Sequence, residues 1–272
     1  KIEDQGRGAG RASTRGSGLL SPAYRRVVGE RHGARVAECG REDSLAARPL
    51  RMELAELALF VRSPETGAVK TRLHSAVGPD GASMLYRAFV EDTIALCQRV
   101  REAGRVALTL WADEVMNVEV RRWAAALGTA VQRQPEGDLG TRMSEAFEVG
   151  LRRAERVLII GSDAPTLPLR RIVAAFNALD DAELVLGPSN DGGYYAIGAS
   201  KRSVPRFQDV RWSTPHALED TTRANEGSAI TMLSPWYDVD ETDDLELLRG
   251  HLSVSPSAAP ATARCLRELR SA

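Results

Sequence analysis

The chain has 272 residues, an apolar fraction of 43% and a formal net charge of −1 at pH 7, which suits one large α/β domain with a real core or two small ones. No run approaches the ~20 apolar residues of a membrane-spanning helix and no secretory leader is legible, so the expected compartment is the cytoplasm, with no membrane partner. Cys39, Cys97 and Cys265 lie far apart without CxxC or His-paired spacing, which excludes a disulfide framework and a structural zinc site.

Charge divides the chain. Residues 1–51 carry 11 Lys+Arg against 6 Asp+Glu, a net of +5, and the remainder carries 25 against 31, a net of −6. The basic segment is rich in Gly, Arg, Ser and Ala, with no sustained period and no aromatic interleaving. It reads as a disordered, solvated extension and not as a nucleic-acid-binding arm. Met52 is the first methionine and directly precedes the first good strand. The folded domain is therefore expected over 52–252, with a native start near Met52, which mass spectrometry of the native protein tests.

From Met52 strands and helices alternate. Leu57 to Val61 (LALFV) is a continuous apolar run, hence a buried strand. A Gly/Pro-rich loop follows through Gly81, and Ala82 to Val100 repeats apolar residues at helical spacing. Val106 to Trp111 reads as a strand, Val118 to Leu127 as a helix, Ala130 to Gln132 as a short strand, and Thr141 to Ala154 as a helix with Thr141 as its N-cap. Arg156 to Ile160 is a strand and Pro168 to Leu179 a helix with proline near its first turn. Glu183 to Gly187 and Tyr194 to Gly198 are strands joined by the turn Asn190-Asp191-Gly192-Gly193. Thr214 to Asn225 is a helix, Ala229 to Leu233 a strand and Thr242 to His251 a helix capped from an aspartate-rich turn. Residues 253–272 read as a flexible tail whose end is helical without a need to dock. This alternation predicts an α/β fold, a single three-layer domain with a mostly parallel sheet.

Several stretches are hard to explain as packing. In RVLIIGSDAPTLP a buried strand delivers Asp163 to the carboxyl edge of the sheet, where ligands bind in such folds; the competing reading is a turn cap before the helix near Leu169. Arg62 to Leu73 combines Gly67 with Lys70 and Arg72 at the exit of the first strand, a phosphate cradle or a solvated basic loop. It is not a Walker loop. Gln134 to Met143 (QPEGDLGTRM) places Asp138, Gly140 and Arg142 at a helix start, suited to a base, ribose or phosphate, or else a plain connecting loop. In PSNDGGYY, Gly192 and Gly193 let backbone approach a ligand beside Asp191, and two tyrosines are placed to stack or hydrogen-bond. In WYDVDETDD, Asp238 and Asp240 share a side if extended, while Asp243 and Asp244 read as caps. Carboxylates at strand exits suit Mg²⁺ or Mn²⁺, which also take diphosphate oxygens. No GxSxG elbow and no GxGxxG follows a strand.

FVRSPETGAVKTRL, GDLGTRMSEAF, LIIGSDAPTLP, VLGPSNDGGYYAIG, RWSTPHAL and YDVDETDDL resemble, in order, motifs of the bacterial transferases associated with radical-SAM and selenium-domain proteins, also named arsenosugar-biosynthesis-type glycosyltransferases. That family resembles GT-A nucleotide-sugar transferases and, more distantly, small nucleotidylyltransferases such as the one acting on phospholactate. The resemblance spans Leu57 to Leu248 and implies a GT-A-like fold with a nucleotide-diphosphate-sugar site. It implies that Lys70 and Arg72 meet phosphate and that Asp163 is the metal carboxylate. It also implies that Asp191, Gly192, Gly193 and Tyr194 complete the substrate pocket, beside Trp212, Ser213 and Thr214. Arg62 stands where the family has lysine, which keeps the charge but not the geometry. The expected activity is metal-dependent glycosyl transfer from a nucleotide-diphosphate donor to a small-molecule acceptor. Mg²⁺ or Mn²⁺ would be held by Asp163 with Asp191 or Asp238 as second ligand, and Asp191 or Asp240 would serve as base. Lys70, Arg72 and Arg142 would supply cations to the diphosphate. The alternatives are a nucleotidylyltransferase joining an NTP to a phosphorylated small molecule, and a non-catalytic nucleotide-binding module.

Overall fold

A computed structural model describes residues 42–50, 54–65 and 68–271. The expected disordered extension and the expected start at Met52 lie, over residues 1–41 and at Met52 itself, outside the described residues. The elements in order are α1 (Glu42–Ala46), β1 (Ala55–Val61), a 3₁₀ turn (Thr71–Leu73), α2 (His74–Ala103), β2 (Val106–Ala112), α3 (Val118–Leu127) and β3 (Val131–Arg133). Then come α4 (Leu139–Leu151), β4 (Arg156–Ile160), α5 (Leu169–Ala178), β5 (Leu184–Pro188) and β6 (Tyr194–Ser200). The chain ends with α6 (Ala217–Ala224), β7 (Ile230–Met232), α7 (Thr242–Val254), a second 3₁₀ turn and α8 (Pro260–Ser271).

One seven-stranded sheet runs β3-β2-β1-β4-β6-β5-β7. All neighbours are parallel except β6, which is antiparallel to both β4 and β5. The β5–β6 hairpin closes through the Asn190–Gly193 turn, which is why the strand order departs from a simple parallel series at this point. Alternation along the strands sends Leu57, Leu59, Leu158 and Ile160 to one face, against Tyr86, Trp123 and Phe176 of α2, α3 and α5. Ala58, Val157 and Ile159 go to the other face, against Met143, Phe147 and Leu218 of α4 and α6. Both faces are covered, giving the expected three layers.

The loop expected to extend through Gly81 is mostly helical. Helix α2 starts at His74 and is interrupted at Gly78, whose φ of 70° and ψ of 168° break it before Pro79 resumes it. The cap of α4 is Asp138, not Thr141: its Oδ1 accepts from Thr141 N at 2.8 Å. A capping box of Glu241 and Asp244 starts α7.

Described residues on either side of 52–252 pack against it. The segment from Glu42 to Leu50 docks on α5. Glu42 is buried and accepts from Arg171 Nη1 at 3.0 Å and from Ser234 N at 2.6 Å, and Asn177 Nδ2 donates to the carbonyls of Leu45 and Arg48. At the other end α8 is not a free tail. Cys265 and Leu266 are buried in a third apolar cluster with Phe89 of α2 and Leu248 of α7, and Asp92 of α2 accepts from Ala261 N and Thr262 N at its start. Short amphipathic segments like these draw their helicity from packing, so propensity alone undersells them. Among the described residues no helix is long and apolar enough to cross a membrane.

Candidate active site

The site forms where β1, β4 and β5 end. Val157 to Ile160 fill the core in β4, and the chain leaves the sheet at Gly161 so that Asp163 emerges beyond it, half exposed. Asp163 is fixed by its backbone, its carbonyl accepting from Val239 N at 2.8 Å. Its carboxylate meets Lys70, whose Nζ lies 2.5 Å from Asp163 Oδ1 and 2.6 Å from Asp240 Oδ1. Lys70 sits in a left-handed backbone conformation, φ 49° and ψ 43°, immediately before the 3₁₀ turn. Its side chain is 5% exposed and its ammonium lies 5.9 Å from the centre of the Phe89 ring. Burial works to lower this lysine's pKa, but Asp163 and Asp240 reverse the sign and hold it above the ordinary amine range.

A second group of carboxylates adjoins the first. Trp236 N donates to Pro188 O at 3.0 Å and Trp236 bridges Ser189, so the segment after β7 tracks the exit of β5 back towards Asp163. This brings Asp238 and Asp240 to Asp191, with one carboxylate oxygen from each residue within 4.8 Å of the others. Asp191 is oriented by Ser189 Oγ, which donates to its Oδ1, and by Gly193 N at 2.8 Å. Burial, then Asp191, Asp240 and Asp163, push the Asp238 carboxyl up to about 8. The cluster therefore gathers more carboxyl groups than it can ionise unaided, and its donors are hard oxygens. Both properties fit a divalent cation such as Mg²⁺ or Mn²⁺.

The surrounding residues are sorted by the fold. Tyr86, absent from the sequence-based candidates, lies beneath the first loop: its hydroxyl accepts from Arg62 N at 2.7 Å and from Ser162 Oγ at 3.3 Å, and burial followed by Asp163 pushes it up to about 12. Asp113 beyond β2 likewise escaped notice. Its Oδ1 accepts from Ser63 N at 2.8 Å and Glu114 N at 2.9 Å, pinning the start of the same loop. Its position just after an apolar strand was the available signal. Arg72 is exposed and pairs with Glu241 at 3.2 Å, on the rim. The Arg62 side chain is exposed, and Gly67 lies outside the described residues.

Asp138 caps α4. Gly140 packs against the loop that carries Trp212: a Cβ there would come within 2.9 Å of Trp212 Cζ2 and 2.8 Å of Phe207 Cβ. Arg142 Nη1 donates to Gln134 Oε1 at 3.3 Å. Gly192 has φ 91°, and a Cβ on it would sit 2.3 Å from the Pro215 carbonyl oxygen, so the DGG turn and the WST stretch fit directly together. Ser213 takes φ 58° and Thr214 Oγ1 donates to Arg211 O at 2.7 Å, which shapes that loop. The two tyrosines pack on opposite faces of the sheet. Tyr194 packs into the face beneath α6, its hydroxyl 3.5 Å from Thr221 Oγ1, and Tyr195 donates to Ser234 O from the other face. Strand alternation turns both phenols into the fold. Of the carboxylates expected to hold the metal, Asp191 and Asp238 group with Asp240, and Lys70 pairs with both Asp163 and Asp240.

Comparison with solved structures finds a candidate nucleotide-diphospho-sugar transferase from Desulfovibrio desulfuricans G20, 32% identical, with a TM-score of 0.71 over 80% of this chain and 95% of that one. The chain belongs to the same family as that protein. Residues 95–214 also match the family model DUF2064, described as uncharacterized proteins conserved in bacteria. Among curated proteins, the 2-phospho-L-lactate guanylyltransferase of Methanothermobacter thermautotrophicus is 25% identical over 181 residues, 65% of this chain and 76% of the relative. In this chain, the carboxylates that follow β4, β5 and β7 and the lysine among them are the features with chemistry to offer.

Proposed function

We propose that the protein is a metal-dependent nucleotidyltransferase, joining the nucleoside monophosphate part of an NTP to a phosphorylated small molecule with release of pyrophosphate. The observation that carries it is the buried ammonium of Lys70 set among Asp163, Asp191, Asp238 and Asp240. A fixed cation beside a hard-oxygen cluster acts on a phosphate chain, and the guanylyltransferase relative supports the nucleotidyl form of that chemistry. Asp191, Asp238 and Asp240 would hold Mg²⁺ or Mn²⁺, with Asp163 facing the same space. When bound, the ion supplies Lewis-acid polarisation of phosphate oxygens. In the reaction an oxygen of the acceptor's phosphate forms a bond to the α-phosphorus of the NTP, and the bond from that phosphorus to pyrophosphate breaks. Lys70 neutralises charge growing on the departing pyrophosphate, and Arg72 on the rim draws the anionic substrates in.

Glycosyl transfer from a nucleotide-diphosphate sugar is the second reading. It is favoured by the Desulfovibrio relative and by the six-motif resemblance to arsenosugar-type glycosyltransferases. One assay separates the two. The protein is incubated with Mn²⁺ and either an NTP plus phosphorylated hydroxy acids or a panel of nucleotide sugars plus hydroxylated acceptors. Pyrophosphate in the first mixture supports nucleotidyl transfer; nucleoside diphosphate in the second, with no pyrophosphate in the first, overturns it in favour of sugar transfer. Binding without either product identifies a non-catalytic module.

A further inference from the structure

Lys70 does in the free protein what a divalent cation would do there. Its ammonium bridges Asp163 Oδ1 and Asp240 Oδ1 at 2.5 and 2.6 Å, spending two of its three donors on carboxylates. The side chain is 5% exposed, the Phe89 ring stands near its ammonium, and the backbone at Lys70 is left-handed. Asp240 is shared, belonging both to the lysine pair and to the group of Asp191 and Asp238. Any dication held by that group is thus one carboxylate away from a fixed positive charge, and at such separations in a partly buried site like-charge repulsion is substantial. A phosphate chain changes the balance, because it offers the ammonium an alternative anion and brings further oxygens to the metal.

We propose that Lys70 is the built-in counter-ion of the acidic cluster, lowering the free protein's affinity for a divalent cation and releasing the carboxylates when a phosphate chain takes over the ammonium, so that metal and nucleotide bind together. This rests on the metal-dependent reading above and deepens it by coupling metal binding to nucleotide binding. It makes the lysine an antagonist of the bare metal and a partner of the metal–nucleotide complex.

The test is Mn²⁺ binding without turnover, read from the electron paramagnetic resonance signal of free Mn²⁺. The wild type, Lys70→Met and Lys70→Arg are titrated with Mn²⁺ alone. Lys70→Met binds Mn²⁺ at least about tenfold more tightly than the wild type, and Lys70→Arg, which keeps the charge, stays close to the wild type. Should Lys70→Met not fold, Lys70→Gln removes the charge while keeping a donor for the carboxylates, and the same gain is expected. In a thermal-shift measurement on the wild type, Mn²⁺ with inorganic tripolyphosphate raises the Tm by more than the sum of the two added singly. Equal or weaker Mn²⁺ binding by the uncharged variant overturns this inference alone. Absence of Mn²⁺ binding to every variant, with tripolyphosphate and without it, overturns the metal-dependent function and this inference together.

Discussion

Lys70 and Asp240 are 170 positions apart in the chain, and their Nζ and Oδ1 atoms are 2.6 Å apart in the fold. The contact exists because β1 and β4 are neighbours in the sheet and the segment after β7 is drawn back to Asp163 through the Val239 amide. The two segments thereby meet at one residue, Asp163, whose carbonyl accepts from Val239 N and whose carboxylate pairs with Lys70. Asp163→Asn keeps the shape and removes the charge. It is expected to lower turnover by about 10²-fold or more, with circular dichroism unchanged and Lys70 still paired to Asp240. Full activity in this variant, or full activity in excess EDTA, contradicts the proposed role.

The acidic cluster predicts a pH dependence of stability in EDTA. The Asp238 carboxyl is raised from 3.8 to about 8 in the fold, so between those values the folded protein holds a proton that the unfolded chain has given up. Stability contributed by this group is complete below about pH 4 and is lost as pH rises towards 8. Tm measured across that window should fall for the wild type and fall less for Asp238→Asn; parallel curves would show that Asp238 does not titrate in this way.

The upstream segment is expected to matter for stability. Glu42 and Arg171 form a buried ion pair, each side chain 9% exposed, and Arg171 also lies 4.7 Å from the centre of the Trp236 ring. Removing one partner leaves the other charge buried. Glu42→Ala should therefore cost about 3 kcal/mol in urea unfolding, and a chain beginning at Met52 should be at least as impaired. A truncated chain as stable as the full one would show that α1 is dispensable.

Gly192 couples two loops of the site. With φ at 91° and the Pro215 oxygen in the way of any Cβ, Gly192→Ala must shift either the DGG turn or the loop carrying Trp212. We expect a loss of about 1–3 kcal/mol, visible as a lower Tm, together with weaker nucleotide binding, since Asp191 is its neighbour. Gly250→Ala, in an exposed turn of α7 with open space around it, should be neutral or slightly stabilising.

Much of the fold was legible because it is written in local periodicity. The apolar runs Leu57 to Val61 and Val157 to Ile160, and the helical repeat in Val118 to Leu127, each announce an element within a few residues. The place of Asp163 was also legible, as a carboxylate just beyond a buried strand and before two prolines. Tyr86 was not, because an aromatic residue on a helical stripe looks the same whether its hydroxyl is idle or, as here, accepts from Arg62 and Ser162. The packing of Tyr194 was not legible either: strand alternation decides which face it takes, and the pairing of β6 sets that face.

By itself the sequence determined the α/β class, the parallel strands buried on both faces and the set of acidic strand exits, since these follow from patterns confined to a few neighbouring residues. Only the tertiary structure brought Asp240 beside Asp191 and Asp238, set Lys70 between Asp163 and Asp240, and packed α1 and α8 against the rest of the fold. Those outcomes depend on contacts between segments far apart in the chain. Their free energy comes from burial and charge pairing that no local pattern encodes.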